Sequence, residues 1–157
     1  MAYNLGKKFE ERFEKDFSNL GEDVSIDRIK DTMGKRFGVS NICDYICYIY
    51  PLVYYIELKS HKGNTFPLTN LTQYDKLKYK IGKKGVRVGV IVWFRDHDVV
   101  TYTPIAEVKR MLEDGVKSIN IKYLKTGEYK MYNIPSEKLR TFMRSDYSFL
   151  TELGEGE

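Results

Sequence analysis

Cysteine and histidine are scarce in this chain: its 157 residues hold only Cys43, Cys47, His61 and His97 of these types. A structural zinc site needs more thiolate and imidazole ligands than that. The two cysteines are read instead as buried thiols whose spacing points both to one face of a strand, opposite to Asp44, in a reducing intracellular compartment. Long apolar runs are missing as well. No stretch approaches the length of a membrane span, so no membrane association is expected. No signal peptide is expected ahead of Asn4, and the acidic pair Glu10-Glu11 argues against export; the expected location is cytoplasmic. Internal repeats and linker-like stretches are also absent, so a single domain is expected over 1–157, with a main core at about 4–113 and an added hairpin and short helix at about 117–150.

What is present fits a soluble globular chain with a real core: 42% of residues are hydrophobic and 31% charged. The net charge of +4 is modest for a nucleic-acid binder, but its distribution says more. Lys59, Lys62, Lys76, Lys78, Lys80, Lys83, Lys84 and Arg87 crowd one stretch. A second small group, Lys35 and Arg36, lies between Gly34 and Gly38 in a polar segment read as a loop. Basic residues of this kind suit a polyanion that must approach carboxylates; the plainer alternative is a solvated face. From these runs Lys35, Arg36, Lys62, Lys76 and Lys80 are taken as candidate DNA contacts. Tyrosine is abundant, with 13 residues, but many occupy apolar periodic positions and are read as core.

Those carboxylates stand in the segment Cys43-Asp44-Tyr45-Ile46-Cys47-Tyr48-Ile49-Tyr50-Pro51-Leu52-Val53-Tyr54-Tyr55-Ile56-Glu57-Leu58-Lys59. It reads as two strands joined at Tyr50-Pro51, with three charges in an otherwise apolar hairpin, and strand interiors rarely hold so many without a reason. If Tyr50 and Pro51 are the loop residues, Ile49 pairs with Leu52, Tyr48 with Val53, and Asp44 comes opposite Glu57. Opposed residues share a face with Cβ atoms about 4.5–5.5 Å apart, and Lys59, two residues beyond Glu57, stays on that face. A one-residue slip would turn Asp44 away. Two opposed carboxylates repel, and a hard divalent cation such as Mg2+ between them is the natural remedy, with Mn2+ as a substitute. A lysine beside the ion suits metal-assisted phosphodiester hydrolysis. The competing reading is an ordinary cross-strand ion pair on a solvated sheet face.

Along the rest of the chain, Asn4 can cap a helix to about Leu20 with Leu5, Phe9, Phe13 and Leu20 as its apolar stripe, and Glu10 and Glu14 share its flank. Val24 to Ile29 reads as a strand and Ser60 to Thr69 as a loop. Asn70 and Gln73 have capping-box spacing for a second helix through Leu71, Tyr74, Leu77 and Ile81, stopping at Gly82 or Gly85. Val86 to Phe94 is the near-continuous apolar run of a central strand. Arg95 to Asp98 makes a turn, with His97 on the surface, and Val99 to Thr103 returns as a strand. Pro104 opens a helix to about Leu112. A second hairpin is predicted around Lys125-Thr126-Gly127, joining Ser118–Leu124 to Glu128–Tyr132. Pro135 is read as starting a short helix through Leu139, Phe142 and Met143, and the tail from Gly154 as frayed. The order of elements predicts an α/β fold with a mixed central sheet flanked by helices.

With these pieces in order, the chain resembles the PD-(D/E)XK nuclease superfamily, and more closely the RecU-like Holliday junction resolvases of phage or prophage type. The resemblance covers roughly residues 5–105. It rests on Gly6-x-x-Phe9-Glu10, on Cys43-Asp44-Tyr45, on Tyr55-Ile56-Glu57-Leu58-Lys59, and on Phe66-Pro67-Leu68-x-Asn70-Leu71 leading to Gln73. It implies a restriction-endonuclease-like fold, with Asp44 and Glu57 as metal ligands and Lys59 as the active-site lysine. It also implies Glu10 as supporting acid, with Glu14 its substitute, and Gln73 as an accessory residue oriented toward the site. It further implies magnesium, a homodimer, branched DNA as substrate cut by paired nicks, and a bacterial or phage-infected host cell. Like strands are best cut by like sites related by a twofold axis.

This chain departs from the cellular members in several places. It has Ile42-Cys43-Asp44-Tyr45 where they have Thr-x-Asp-Tyr, Thr72-Gln73 where they have His-Gln, and Cys43 in place of the superfamily's proline. They carry a basic N-terminal extension, where here the predicted helix begins almost at Met1, and Asp27 to Asn41 leaves room for only a short version of their projecting stalk. These departures bear on junction selectivity and leave the metal ligands intact. The competing functions are a nuclease of the same superfamily with another DNA target, a non-catalytic DNA-binding scaffold, and an α/β protein in which Glu57 and Lys59 form only a surface ion pair.

Overall fold

The computed structural model describes residues 4–29 and 41–152. Lys35 and Arg36, and the expected loop and frayed tail, lie outside the described residues. The Asn4 side chain accepts a 2.9 Å hydrogen bond from the Lys7 N–H, which satisfies one of the donors that a helix start leaves open. Helix α1 (Leu5–Ser18) follows, with Phe9, Phe13 and Phe17 buried along one stripe. Asn19 caps its C-terminus.

Three antiparallel strands come next: β1 (Val24–Arg28), β2 (Tyr45–Ile49) and β3 (Leu52–His61). The β2–β3 turn is Tyr50-Pro51, whose peptide bond is cis. Ile49 stands opposite Leu52, Tyr48 opposite Val53, and so on to Tyr45 opposite Ile56. This is the predicted register, and alternation explains it: Tyr45, Cys47, Ile49, Tyr54 and Ile56 all enter one core, and a one-step slip would empty it.

After β3 the chain forms β4 (Thr65–Pro67), a 3-10 turn (Leu68–Asn70), the one-turn α2 (Tyr74–Leu77) and a second 3-10 turn (Lys78–Lys80). Strand β5 (Val86–Phe94) then runs parallel to β3, and β6 (Val99–Pro104) returns antiparallel. From Arg87 to Phe94 every β5 residue is buried, as its unbroken apolar run predicts for a central strand. Pro104 precedes α3 (Ile105–Glu113). The remaining elements are β7 (Ser118–Asn120), α4 (Tyr123–Thr126), β8 (Tyr132–Ile134), β9 (Ser136–Lys138), β10 (Met143–Ser145) and a 3-10 turn (Tyr147–Glu152).

Six strands form the main sheet of the described residues, in the order β1-β2-β3-β5-β6-β8. With one parallel pair among antiparallel ones it is mixed, and a core lies on each face. On one side α1 and the C-terminal segment cover Tyr45, Tyr54, Ile56, Ile91, Trp93 and Tyr102. Phe13 lies there with its ring 4.9 Å from that of Tyr45 and 4.8 Å from that of Tyr147, and each ring so buried contributes about 1.5–3 kcal/mol. On the other side α3, Leu77, Tyr123 and the paired β4 and β7 cover Val88, Val90 and Val92. Gly89 is required where the sheet is tightest: a Cβ there would lie 2.3 Å from the buried Tyr102 ring.

The C-terminal segment is tied back to the first elements. The Tyr54 hydroxyl donates to the Leu150 carbonyl (2.6 Å). The Ser145 N–H donates to the buried Asp16 carboxylate (2.9 Å), which also pairs with Arg12 at 2.7 Å.

Five expectations need correction. Ser60–Thr69 is not a plain loop: β3 continues to His61, and β4 forms by pairing with β7, because Phe66 and Ile119 stand opposite one another and both are buried. The second helix is broken into 3-10 and α turns, and Gln73 makes no capping box because its Oε1 accepts from the Thr72 hydroxyl at 2.9 Å. Lys125-Thr126-Gly127 is no hairpin turn but the end of α4, with Gly127 at φ 69 as its left-handed cap. The segment after Pro135 is the β9–β10 hairpin, not a helix, and Met143 and Ser145 alternate inward. Cys43 and Cys47 are both buried free thiols, but they enter opposite cores. Cys43 precedes β2, so strand alternation does not govern it.

No helix among the described residues is long and apolar enough to cross a membrane.

Candidate active site

Strand β3 outlasts its partner. The β2 ladder stops at Tyr45, opposite Ile56, while β3 runs on to His61 beside β5 alone. Asp44 sits at this fork. Its N–H donates to the Ile56 carbonyl (3.2 Å), its carbonyl accepts from Ile29 N–H (2.8 Å), and its Oδ2 accepts from Leu58 N–H (2.8 Å). The carboxylate is therefore clamped onto β3 at the residue between Glu57 and Lys59. The predicted opposition of Asp44 and Glu57 lies one residue past the end of the ladder; Asp44 reaches β3 through the Leu58 N–H instead.

Glu57 is fully buried, and no N–H or hydroxyl of the described residues donates to either carboxylate oxygen; the polar group it meets is the Asp44 carboxyl. Burial raises its pKa strongly; the adjoining Asp44 carboxyl, whose proton it can share and whose charge repels it, raises it further, as does Glu10, against a lowering by Lys59. A buried acid without donors is costly, so something absent from the chain is needed to make it an acceptable carboxylate. Lys59, half-buried, makes no ion pair among the described residues, and no salt bridge joins it to Glu57 or Asp44. The alternative of a cross-strand ion pair is not what the side chains form.

Glu10 reaches the fork from α1. Burial raises its pKa, Arg28 opposes this, and Asp44, Glu14 and Lys59 also act on it electrostatically. Arg28 holds it by a 2.6 Å ion pair. Glu14, the other candidate acid, accepts instead from the Tyr45 hydroxyl (3.2 Å), which supports β2 rather than the fork. Cys43 lies on the other side of Glu57; burial, then the Glu57 charge, pushes its thiol up to about 12, so it stays neutral. Gln73 is hydrogen-bonded to Thr72 and not to Asp44, Glu57 or Lys59. Of the candidate DNA contacts, Lys62 and Lys76 are exposed, and Lys80 lies over the Tyr55 ring at 4.9 Å.

Glu10, Asp44, Glu57 and Lys59 thus act on one another electrostatically, and Gln73 makes its hydrogen bond to Thr72. Sequence reasoning missed Arg28, although the signal existed: β1 pairs with β2 so that Arg28 stands opposite Tyr45, next to Asp44. The Leu58 N–H was also missed, since a backbone donor leaves no mark in a sequence.

As for a metal, no group of three or more His, Cys, Asp or Glu side chains poised to hold an ion occurs among the described residues. Magnesium does not need one: it is commonly held by one or two carboxylates with water and substrate phosphate. The Glu57 oxygens beside Asp44, which no N–H or hydroxyl of the described residues satisfies, suit such an ion, and so does their hard-oxygen chemistry.

No protein-family model matches the chain, and no curated protein matches it significantly. Among solved structures it is similar to Archaeoglobus fulgidus Hjc, described as a Holliday junction resolvase from an archaeal hyperthermophile, with TM-score 0.53 and 19% sequence identity over 73% of this chain and 88% of that one. The fold is thus a mixed sheet with flanking helices, as the sequence predicted, and is similar to that of this archaeal resolvase.

Proposed function

We propose that this chain is a magnesium-dependent endonuclease that resolves four-way DNA junctions by paired nicks, a RecU-like resolvase acting as a homodimer. The observation that carries the reading is the buried Glu57 carboxylate beside Asp44, which no N–H or hydroxyl of the described residues satisfies, with Lys59 on the same strand in no ion pair among them. The likeness in fold to a protein described as a Holliday junction resolvase supports it.

In this reading Asp44 and Glu57 would hold Mg2+, or Mn2+ in its place. When bound, the ion supplies Lewis-acid polarisation of the phosphate and a more acidic water. Leu58 N–H fixes the Asp44 carboxylate at the fork. Lys59 would supply positive charge to the negative charge that gathers on the phosphate as it is attacked. Glu10, held by Arg28, positions and accepts hydrogen bonds from water at the fork. Lys62, Lys76 and Lys80, with Lys35 and Arg36, contact the phosphate backbone.

The test is cleavage of a synthetic four-way junction and of a linear duplex, with magnesium or chelator, by the wild type and Asp44→Ala. Symmetric nicks in the junction alone, lost with chelator or substitution, are expected. Cutting of both substrates would keep the nuclease and discard the junction. Binding without cutting would make the chain a DNA-binding scaffold.

A further inference from the structure

Along β3, Tyr54, Ile56 and Leu58 enter the α1-side core, so Tyr55 and Glu57 point to the other side. Their register partners Val88 and Val90 belong to the core there. Tyr55 thus shares a face with Glu57, about 6.6 Å away along the strand. On β2, Ile46 stands opposite Tyr55 and Tyr48 opposite Val53, which extends that face. It is open to solvent: Ile46, Val53 and Tyr55 are half-buried, and Tyr48 is 38% exposed. The second 3-10 turn (Lys78–Lys80) comes to it, with Lys80 Nζ 4.9 Å from the Tyr55 ring. Next to Lys80 in that turn, Tyr79 is 71% exposed, with Lys78 Nζ 5.4 Å from its ring. The Val53 N–H donates to the Gly85 carbonyl at 2.8 Å, which sets Lys83 and Lys84 near the start of β3. Lys80, Lys83 and Lys84 make no ion pair among the described residues, while Lys78 pairs with Asp75 at 3.3 Å. Asp27, opposite Ile46, is an acid at the β1 edge of the face.

We infer that this face takes unpaired nucleotides of the cut strand, with bases stacked on Tyr79 and Tyr48 and phosphates on Lys80, Lys83 and Lys84. An exposed ring among lysines offers a base an apolar surface and its phosphate a counter-charge, the two contacts that hold single strands. A duplex hides its bases in their own stack, so it could use the lysines but not the rings. A second copy of the chain is a poorer occupant: a twofold interface sets the patch against itself, and lysine would meet lysine. At about 3.4 Å of rise per nucleotide, Tyr55 is on the order of two nucleotides from Glu57. The inference rests on the nuclease reading and adds to it a substrate class: DNA whose strand is unpaired beside the cut, as in a fork, a flap or an opened junction centre.

Binding is measured apart from cleavage, by fluorescence anisotropy in chelator, with a labelled oligothymidylate and with a labelled blunt duplex. Tyr79→Ala and Tyr48→Ala are each expected to weaken oligothymidylate binding about tenfold and to leave duplex binding unchanged. Tyr79→Phe, which keeps the ring, should bind as the wild type does. Lys80→Gln should weaken both ligands and lower the slope of log affinity against log salt by about 0.7 for the single strand. Lys125→Gln, on α4, should change neither. No binding of oligothymidylate, or binding indifferent to both tyrosines, overturns the proposal, and so does an equal loss for strand and duplex. A Tyr79→Ala chain that sediments as a lighter species while binding DNA unchanged gives the face to a second copy and overturns it as well. A chain that never cuts but shows tyrosine-dependent single-strand binding keeps this face and loses the nuclease reading. One that cuts junctions with tyrosine-independent binding keeps the nuclease and loses the face.

Discussion

The Leu58 N–H donates to Asp44 Oδ2 at 2.8 Å, so the first acid of the site is fastened to the strand that carries the second. The bond spans the hairpin, and it separates two properties of Asp44: its hydrogen bond and its charge. Asp44→Asn can keep the former and loses the latter. If the charge holds a metal, Asp44→Asn and Asp44→Ala should both lose cleavage by about a hundredfold or more, while DNA affinity in chelator is spared. Single-turnover cleavage of a labelled junction measures this. An active Asp44→Asn would show that the carboxylate only braces the hairpin.

Glu57 should make the metal-free protein sensitive to alkali. Its pKa is raised in the fold from an ordinary 4.5, so the native state holds more protons than the unfolded chain above that value. Stability must then fall as pH rises from the ordinary carboxylate range toward the raised value. In chelator the melting temperature should be higher near pH 5 than near pH 8. Glu57→Gln should flatten that dependence and melt higher at pH 8, and magnesium should raise the wild-type melting temperature but not that of the variant. A flat wild-type profile would mean that Glu57 is solvated.

Arg28 opposes the upward pull on the Glu10 pKa, its guanidinium standing 2.6 Å from the carboxylate. Arg28→Ala leaves burial and the Asp44 and Glu14 charges unopposed, so Glu10 ionises at higher pH. The acidic limb of the cleavage–pH profile should move to higher pH. At a fixed pH on that limb, activity should drop about tenfold for every pH unit by which the limb is displaced. Activity lowered equally at all pH values would assign Arg28 to DNA binding instead.

Gly89→Ala tests the tight point of the sheet. The new methyl would meet the Tyr102 ring at 2.3–2.6 Å, and the ring is fully buried. Overpacking of this kind costs about 1–3 kcal/mol, measurable by urea denaturation. Pairing Gly89→Ala with Tyr102→Leu should recover part of it. Full stability of the single variant would mean that β5 and β6 separate easily.

The long elements were legible because each carries its own periodic signal. Phe9, Phe13 and Phe17 mark α1, Asn4 its start, and the run from Val86 to Phe94 the central strand. The hairpin was legible because its alternation and the Tyr50-Pro51 turn agree on one register. The short pieces were not legible, because distant partners make them: β4 is a strand only through β7, and β8 only through β6. Gly127 shows the ambiguity plainly, since a positive φ ends a helix as readily as it turns a hairpin. In the site, Glu57 and Lys59 share a face by the alternation of β3, whereas the burial of Glu57 depends on the core assembled around it from both sides of β3.

The bond from Ser145 to Asp16 closes a span of 129 residues, and that from Tyr54 to Leu150 a span of 96. Both fasten the parts that bring Glu10 to β3. A chain emerging from the ribosome therefore carries Glu10, Asp44 and Glu57 long before it has the segment that locks them together. Contacts so distant in sequence form late and slowly, so the site is completed only after the segment from Ser145 to Leu150 has been made.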